Sequence, residues 1–166
     1  MIKRSILTIL IFLFTINVFG QSDEVQKLFE PTETDSLYIL AIKNFTKQID
    51  NLRNNRNSTD TNPKVIYIQY ENYLKRVPNK INGYQILKLG LGNRKEYFRK
   101  NKNRLTLVEI SPLTLKDGLF SITLIPYGAK LKGKFKMNLT YSSWNTTYFK
   151  YINGKLVMDK YESGGI

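Results

Sequence analysis

An Asn-Gly step between two short apolar runs constrains this chain more than any other feature. Asn153-Gly154 is flanked by Tyr148–Ile152 and Lys155–Tyr161. Both central residues of a type I′ turn need positive φ, which Asn and Gly tolerate best, so the pair predicts a two-residue β-hairpin. That loop length sets a register. Tyr151 should face Leu156 and Phe149 should face Met158 on one side, while Lys150 and Tyr148 meet Val157 and Asp159 on the other. Upstream, Phe135, Met137, Leu139 and Tyr141 alternate with Lys134, Lys136, Asn138 and Thr140, the period of a strand with one dry and one wet face. The C-terminal third is therefore expected to form a twisted ribbon, apolar beneath and cationic above.

The region ahead of the ribbon should supply its cover. Leu37, Ala41, Phe45, Ile49 and Leu52 recur at helical spacing, widened by Tyr38 and Ile42. They predict a helix over about 36–53, capped by Asp35 or Thr34. A short helix over 22–30 and a polar loop over 54–63 flank it. Strands are expected over 65–70, 84–91, 105–110 and 119–127, with a turn over 128–133 and Pro126 at an edge or strand end. Asn93 should cap a short basic helix over 93–101 that turns Tyr97 and Phe98 inward. A long helix followed by five to seven strands defines an α+β domain, the helix lying on a curved, mainly antiparallel sheet.

Residues 1–20 read as an export signal. Lys3 and Arg4 precede an apolar run from Ile6 to Ile16, and Val18-Phe19-Gly20 suits cleavage before Gln21. The run is short of the ~20 apolar residues a membrane-crossing helix needs. The expectation is one exported α+β domain over 21–166, periplasmic or secreted and not integral to a membrane after cleavage.

The inventory then excludes chemistry. There is no cysteine and no histidine, which removes thiol catalysis, disulfides, histidine-dependent triads and the usual zinc ligands. No cofactor, metal or catalytic residue is assigned. Glu109, in step with Leu105 and Leu107, is the carboxylate expected to point inward, where an acid needs a partner.

Charge is the remaining signal. The chain has 26 basic and 13 acidic residues. The leader holds two of the bases and none of the acids, so its removal leaves +11. Arg94, Lys95, Arg99, Lys100, Lys102 and Arg104 form one basic run, and Lys130, Lys132, Lys134 and Lys136 a second. Each suits an anion-binding surface, and each also suits a solvated face or a guard against sheet aggregation. Ser142 to Thr147 reads as a loop, where Trp144 and Tyr148 would stack on a sugar ring or cap the core below. The expected function is a non-enzymatic binding domain with a basic face for a glycan, a cell-surface phosphate or an acidic protein, and no cytoplasmic nucleic-acid partner. Alternatives are an inhibitor- or immunity-type partner using a sheet face or edge, and a carboxylate-dependent carbohydrate-active enzyme.

Overall fold

A computed structural model describes residues 31–55, 63–133, 136–141 and 143–165. The expected leader, the helix over 22–30, most of the 54–63 loop, and Lys134 and Phe135 lie outside those residues. Helix α1 spans Glu33–Asn55 and buries Leu37, Tyr38, Ala41, Ile42 and Phe45. It starts earlier than the cap pattern implies. Asp35 lies inside the first turn with Glu33, where a carboxylate suits the helix dipole, and it pairs with Arg76 at 3.6 Å. No described helix is long and apolar enough to cross a membrane.

Among the described residues, nine strands form one open, mixed sheet. They are β1 (Val65–Gln69), β2 (Lys80–Ile81), β3 (Tyr84–Leu89), β4 (Arg104–Ile110), β5 (Thr114–Lys116), β6 (Leu119–Lys132), β7 (Lys136–Tyr141), β8 (Ser143–Ile152) and β9 (Lys155–Gly165). The order is β2-β3-β1-β4-β6-β8-β9, with β5 and β7 also paired to β6. The α+β architecture is the expected one, and the sheet is mostly antiparallel. Its parallel part arises because β1 lies between β3 and β4 and runs parallel to both. The chain reaches β4 from β3 through helix α2 (Arg94–Lys100), the crossover that parallel strands demand. The strand count exceeds five to seven because β2 and β5 are too short to show as periodicity.

Strand β6 is the spine. One edge pairs with β5 and then β4, the other with β8 and then β7. Residues 128–132, expected as a turn, continue this strand. Pro126 sits mid-strand, opposite Val108. The hydrogen bond from Ser111 N–H to the Thr123 carbonyl sets the ladder phase, and by alternation the Pro126 nitrogen faces away from β4. On that side the β8 ladder stops at Leu124 and the β7 ladder starts at Tyr127. A residue with no N–H therefore sits where none is required.

The dry face of the sheet changes sides along β4 and β6. Ile66, Ile68, Ile86, Val108, Ile110, Ile122, Leu124 and Phe149 pack with α1. Leu89, Leu105, Leu107 and Ala129 pack on the other face around Phe98 of α2. Adjacent Leu107 and Val108 are each 2 % exposed, so the strand is dry on both faces where the switch occurs. The structure thus corrects the inward placement of Glu109. It is exposed, on the α2 side of the sheet.

The ribbon keeps its turn. Asn153 and Gly154 have φ of 49° and 81°, and Tyr151–Leu156, Lys150–Val157 and Phe149–Met158 pair as expected. A bulge then pairs Tyr148 with Lys160 instead of Asp159. The underside is dry only near α1. Phe149 is 0 % exposed, but Tyr151 is 67 % and Met158 39 %. Leu139 and Tyr141 are likewise exposed, because alternation assigns a face without supplying its cover. Phe149→Ala should cost about 3–5 kcal/mol through lost burial and the cavity left behind. Tyr151→Ala, on the same nominal face, should stay within about 0.5 kcal/mol; urea denaturation of the two variants measures the difference.

Candidate functional site

The switch leaves one quarter of the sheet uncovered on the α1 side, and the cations gather there. Arg104 pairs with Lys130 across β4 and β6, and Lys132 with Lys136 across β6 and β7. Even-numbered residues of these strands share a face, which places all four with Thr106, Gly128, Asn138 and Thr140. Arg104, Thr106, Gly128, Lys130 and Thr140 line an open trough of about 490 Å³, and Asn138, Lys132 and Lys136 continue the same face beyond it. Its floor is low at Gly128. A Cβ added there would meet Thr140 only at 3.8 Å, an ordinary contact distance. Among the described residues Arg104, Lys130, Lys132 and Lys136 form no ion pair.

The two basic runs meet at this end of the sheet. Lys102 and Asn103 adopt left-handed φ of 52° and 61°, and Asn103 Nδ2 donates to the Leu131 carbonyl at 3.1 Å. Asn101 Nδ2 donates to Tyr67 Oη at 2.9 Å. Asn101 Nδ2 also donates to the Tyr97 carbonyl at 2.8 Å, so the turn that carries exposed Lys102 is bolted to both sheet and helix. Arg94, Lys95, Arg99 and Lys100 ride on α2, on the far face. Lys100 is held by Glu96 at 2.6 Å, Phe98 is buried, and Tyr97 packs edge-on against Tyr67 at 5.7 Å. Phe98 and the half-buried Tyr97 anchor the helix, and Lys100 lies over the Tyr97 ring at 5.9 Å. Asn93 occupies the N-cap position of α2, as expected, but makes no side-chain capping bond. Its side chain accepts from Gly90 N–H and donates to the Lys88 carbonyl, both at 2.9 Å.

Trp144 and Tyr148 lie on strand β8, not on a loop. The Thr123 and Thr146 hydroxyls bond across β6 and β8 at 2.9 Å, so a stretch with the composition of a turn is satisfied as a strand. The Trp144 indole lies against Gly164, where a Cβ would come within 2.8 Å of the ring. Tyr148 carries Lys160 over its ring at 4.7 Å, and Lys160 pairs with Glu162 at 2.7 Å. Burial, and then the Glu162 carboxylate, push the Tyr148 hydroxyl up.

Sequence reasoning missed a second hollow. Beneath the C-terminal half of α1 lies a cavity of about 330 Å³, walled by Phe45, Ile49 and Leu52 of the helix and by Ile66, Val108 and Pro126 of the sheet. The clue available was small or polar residues (Thr106, Ser143, Asn145) at positions under the helix. Its polar corners are largely occupied. Tyr161 Oη hydrogen-bonds with the side chains of Gln48 and Asn145, and burial pushes its pKa up to about 12. Tyr84 Oη donates to Asp50 Oδ1 at 2.7 Å, and Lys64 donates to the same oxygen at 2.9 Å. Burial, then Asp50, push Tyr84 up to about 12.

Among the described residues, three of the later carboxylates are taken up by lysines. Glu96, Asp159 and Glu162 are in ion pairs with Lys100, Lys150 and Lys160. Glu109 and Asp117 are exposed, and Glu71 accepts from Gln69 at 3.2 Å. No group of three metal-ligating side chains occurs among the described residues. No protein-family model matches this chain, and no curated protein matches it either.

Asp50 ties α1 to β3, and its carboxyl is held below the usual range by the Tyr84 hydroxyl first, then by Lys64. A depressed carboxyl stabilises the fold above its unfolded value, and the contribution is lost as pH falls through the depressed value. Asp50→Asn should therefore be less stable than wild type near neutrality, with the difference shrinking toward about pH 3; urea midpoints across that range check it.

Proposed function

We propose that the chain, once exported, is a non-catalytic binding domain that takes an anionic partner on the trough lined by Arg104 and Lys130, with Lys132 and Lys136 beside it on the same face. The partner class is a glycan, a cell-surface phosphate or an acidic protein. One observation carries the reading: like charges are paired directly across strands, Arg104 on Lys130 and Lys132 on Lys136. Such pairs oppose folding, and an anion seated between them relieves the repulsion. An aggregation guard suits Lys136, on strand β7 that pairs only with β6 among the described strands, but not Lys130. Lys130 is flanked by Arg104 on one side and Asn138 on the other, so it is no edge residue.

The test is retention on a sulfated polyanion at low salt. Wild type should be retained and released as ionic strength approaches about 0.2 M, where exposed charges are screened beyond roughly a Debye length. Arg104→Glu/Lys130→Glu should weaken binding by about tenfold or more, ~1.4 kcal/mol. Lys95→Glu/Arg99→Glu, on the far face, should leave most of it. Equal losses from both pairs, or no retention of wild type, would overturn the reading.

Gly128 separates function from stability. Its backbone needs no positive φ, so Gly128→Ala should raise stability by about 0.5–1 kcal/mol while narrowing the trough and weakening polyanion binding. Thermal melting and the retention assay should move in opposite senses.

A further inference from the structure

We infer that the cavity beneath α1 and the cationic trough form one site for an anionic amphiphile, a single acyl chain ending in a carboxylate or phosphate. The tail lies beneath the helix and the head on Arg104 and Lys130. This rests on the anionic-partner reading above and adds the tail to it.

The two hollows are neighbours on one face. Thr106 borders both. Along β4 the residues turned to that face are Val108, Thr106 and Arg104, and along β6 their register partners are Pro126, Gly128 and Lys130. Same-face residues on a strand follow one another at about 7 Å. The floor therefore grades from an apolar pair through a small pair to a cationic pair. A molecule lying along it meets hydrocarbon first and positive charge last. The middle step holds a threonine and a glycine, the pair with least bulk, so nothing tall divides the hollows.

The cavity walls are mainly apolar, and the Arg53 guanidinium at its border lies over the Tyr84 ring at 5.9 Å. Phe45, Ile49, Val108 and Pro126 supply its walls, and three of its polar side chains (Gln48, Asn145 and Tyr84) are already engaged by Tyr161 and Asp50. Leu52 borders it from the last turns of α1 and is 50 % exposed, an apolar surface that a tail would cover. At about 330 Å³ the cavity lies at the small end of the range for ligand pockets, about 300–1,000 Å³. That fits one chain and excludes a pair. Arg104 and Lys130, which form no ion pair among the described residues, stand beyond the shared Thr106 and call for a negative head.

Titration calorimetry of the full chain with dodecanoate and dodecyl phosphate tests this, with dodecanol as tail alone and inorganic phosphate as head alone. Both amphiphiles should bind about tenfold or more tighter than either half. Ile49→Trp, which fills the cavity, should abolish amphiphile binding and leave polyanion retention unchanged. Leu52→Trp repeats the block from an exposed position, where folding is not at risk. Arg104→Glu/Lys130→Glu should weaken both kinds of binding. If amphiphiles bind no better than phosphate, or both tryptophan variants bind them as wild type does, the tail site is overturned while the anionic-partner reading stands. If neither amphiphile nor polyanion binds wild type, both readings fall.

Discussion

The exchange of dry faces along β4 and β6 is the constraint on which the rest of the structure depends. Leu105 and Leu107 pack with α2, and Val108 and Ile110 pack with α1. Fully burying one such side chain stabilises a fold by roughly 1.5–3 kcal/mol, so neither half of either strand can be left bare. One helix cannot satisfy both halves, since they face opposite ways. The short α2 exists to cover what α1 cannot, and the β3–α2–β4 crossover follows from its position.

The same exchange creates two bare quarters, each furnished differently. On the α1 side the bare quarter is cationic, and on the α2 side it carries Glu109, Tyr148, Lys160 and Glu162 in a mixed polar surface. Helix α1 is seated in two styles to match. Its first half is held by close packing of Leu37, Tyr38, Ala41 and Ile42. Its second half is held by polar pins, with Thr46 receiving Asn82 at 2.9 Å, Asp50 receiving Tyr84 and Gln48 bonded with Tyr161. Pins at the rim fix the helix while leaving space beneath it, which is why a cavity survives inside a packed domain.

Much of this was legible from residues alone. The apolar stripe of α1, the Asn153-Gly154 turn and the first three hairpin pairs follow from local stereochemistry. What was not legible involves partners far along the chain. The shared parity of Leu105, Leu107 and Glu109 predicts an inward Glu109, and parity cannot reveal that the cover given by α2 stops at Leu107. Serine, asparagine and threonine around Trp144 suit turns as well as strands, and the cross-strand hydroxyl of Thr123 decides between them. Lys130 and Arg104 read as members of two separate runs. Only the antiparallel register joins them, through a pairing that no local pattern encodes. The cavity is less visible still, being built from α1 and several strands at once.

The bond between Tyr161 and Gln48 spans 113 residues of chain, and Asn44 reaches Thr147 across 103. Closing contacts of such separation forfeits loop entropy before any contact rewards it, and slows folding accordingly. During synthesis α1 emerges early, with an oily stripe and no sheet to lay it on. The strands that complete its seat, β8 and β9, follow every other described element in the chain. This domain therefore cannot close vectorially from its N-terminus, and its nascent chain spends most of its synthesis needing protection from its own hydrophobic surface.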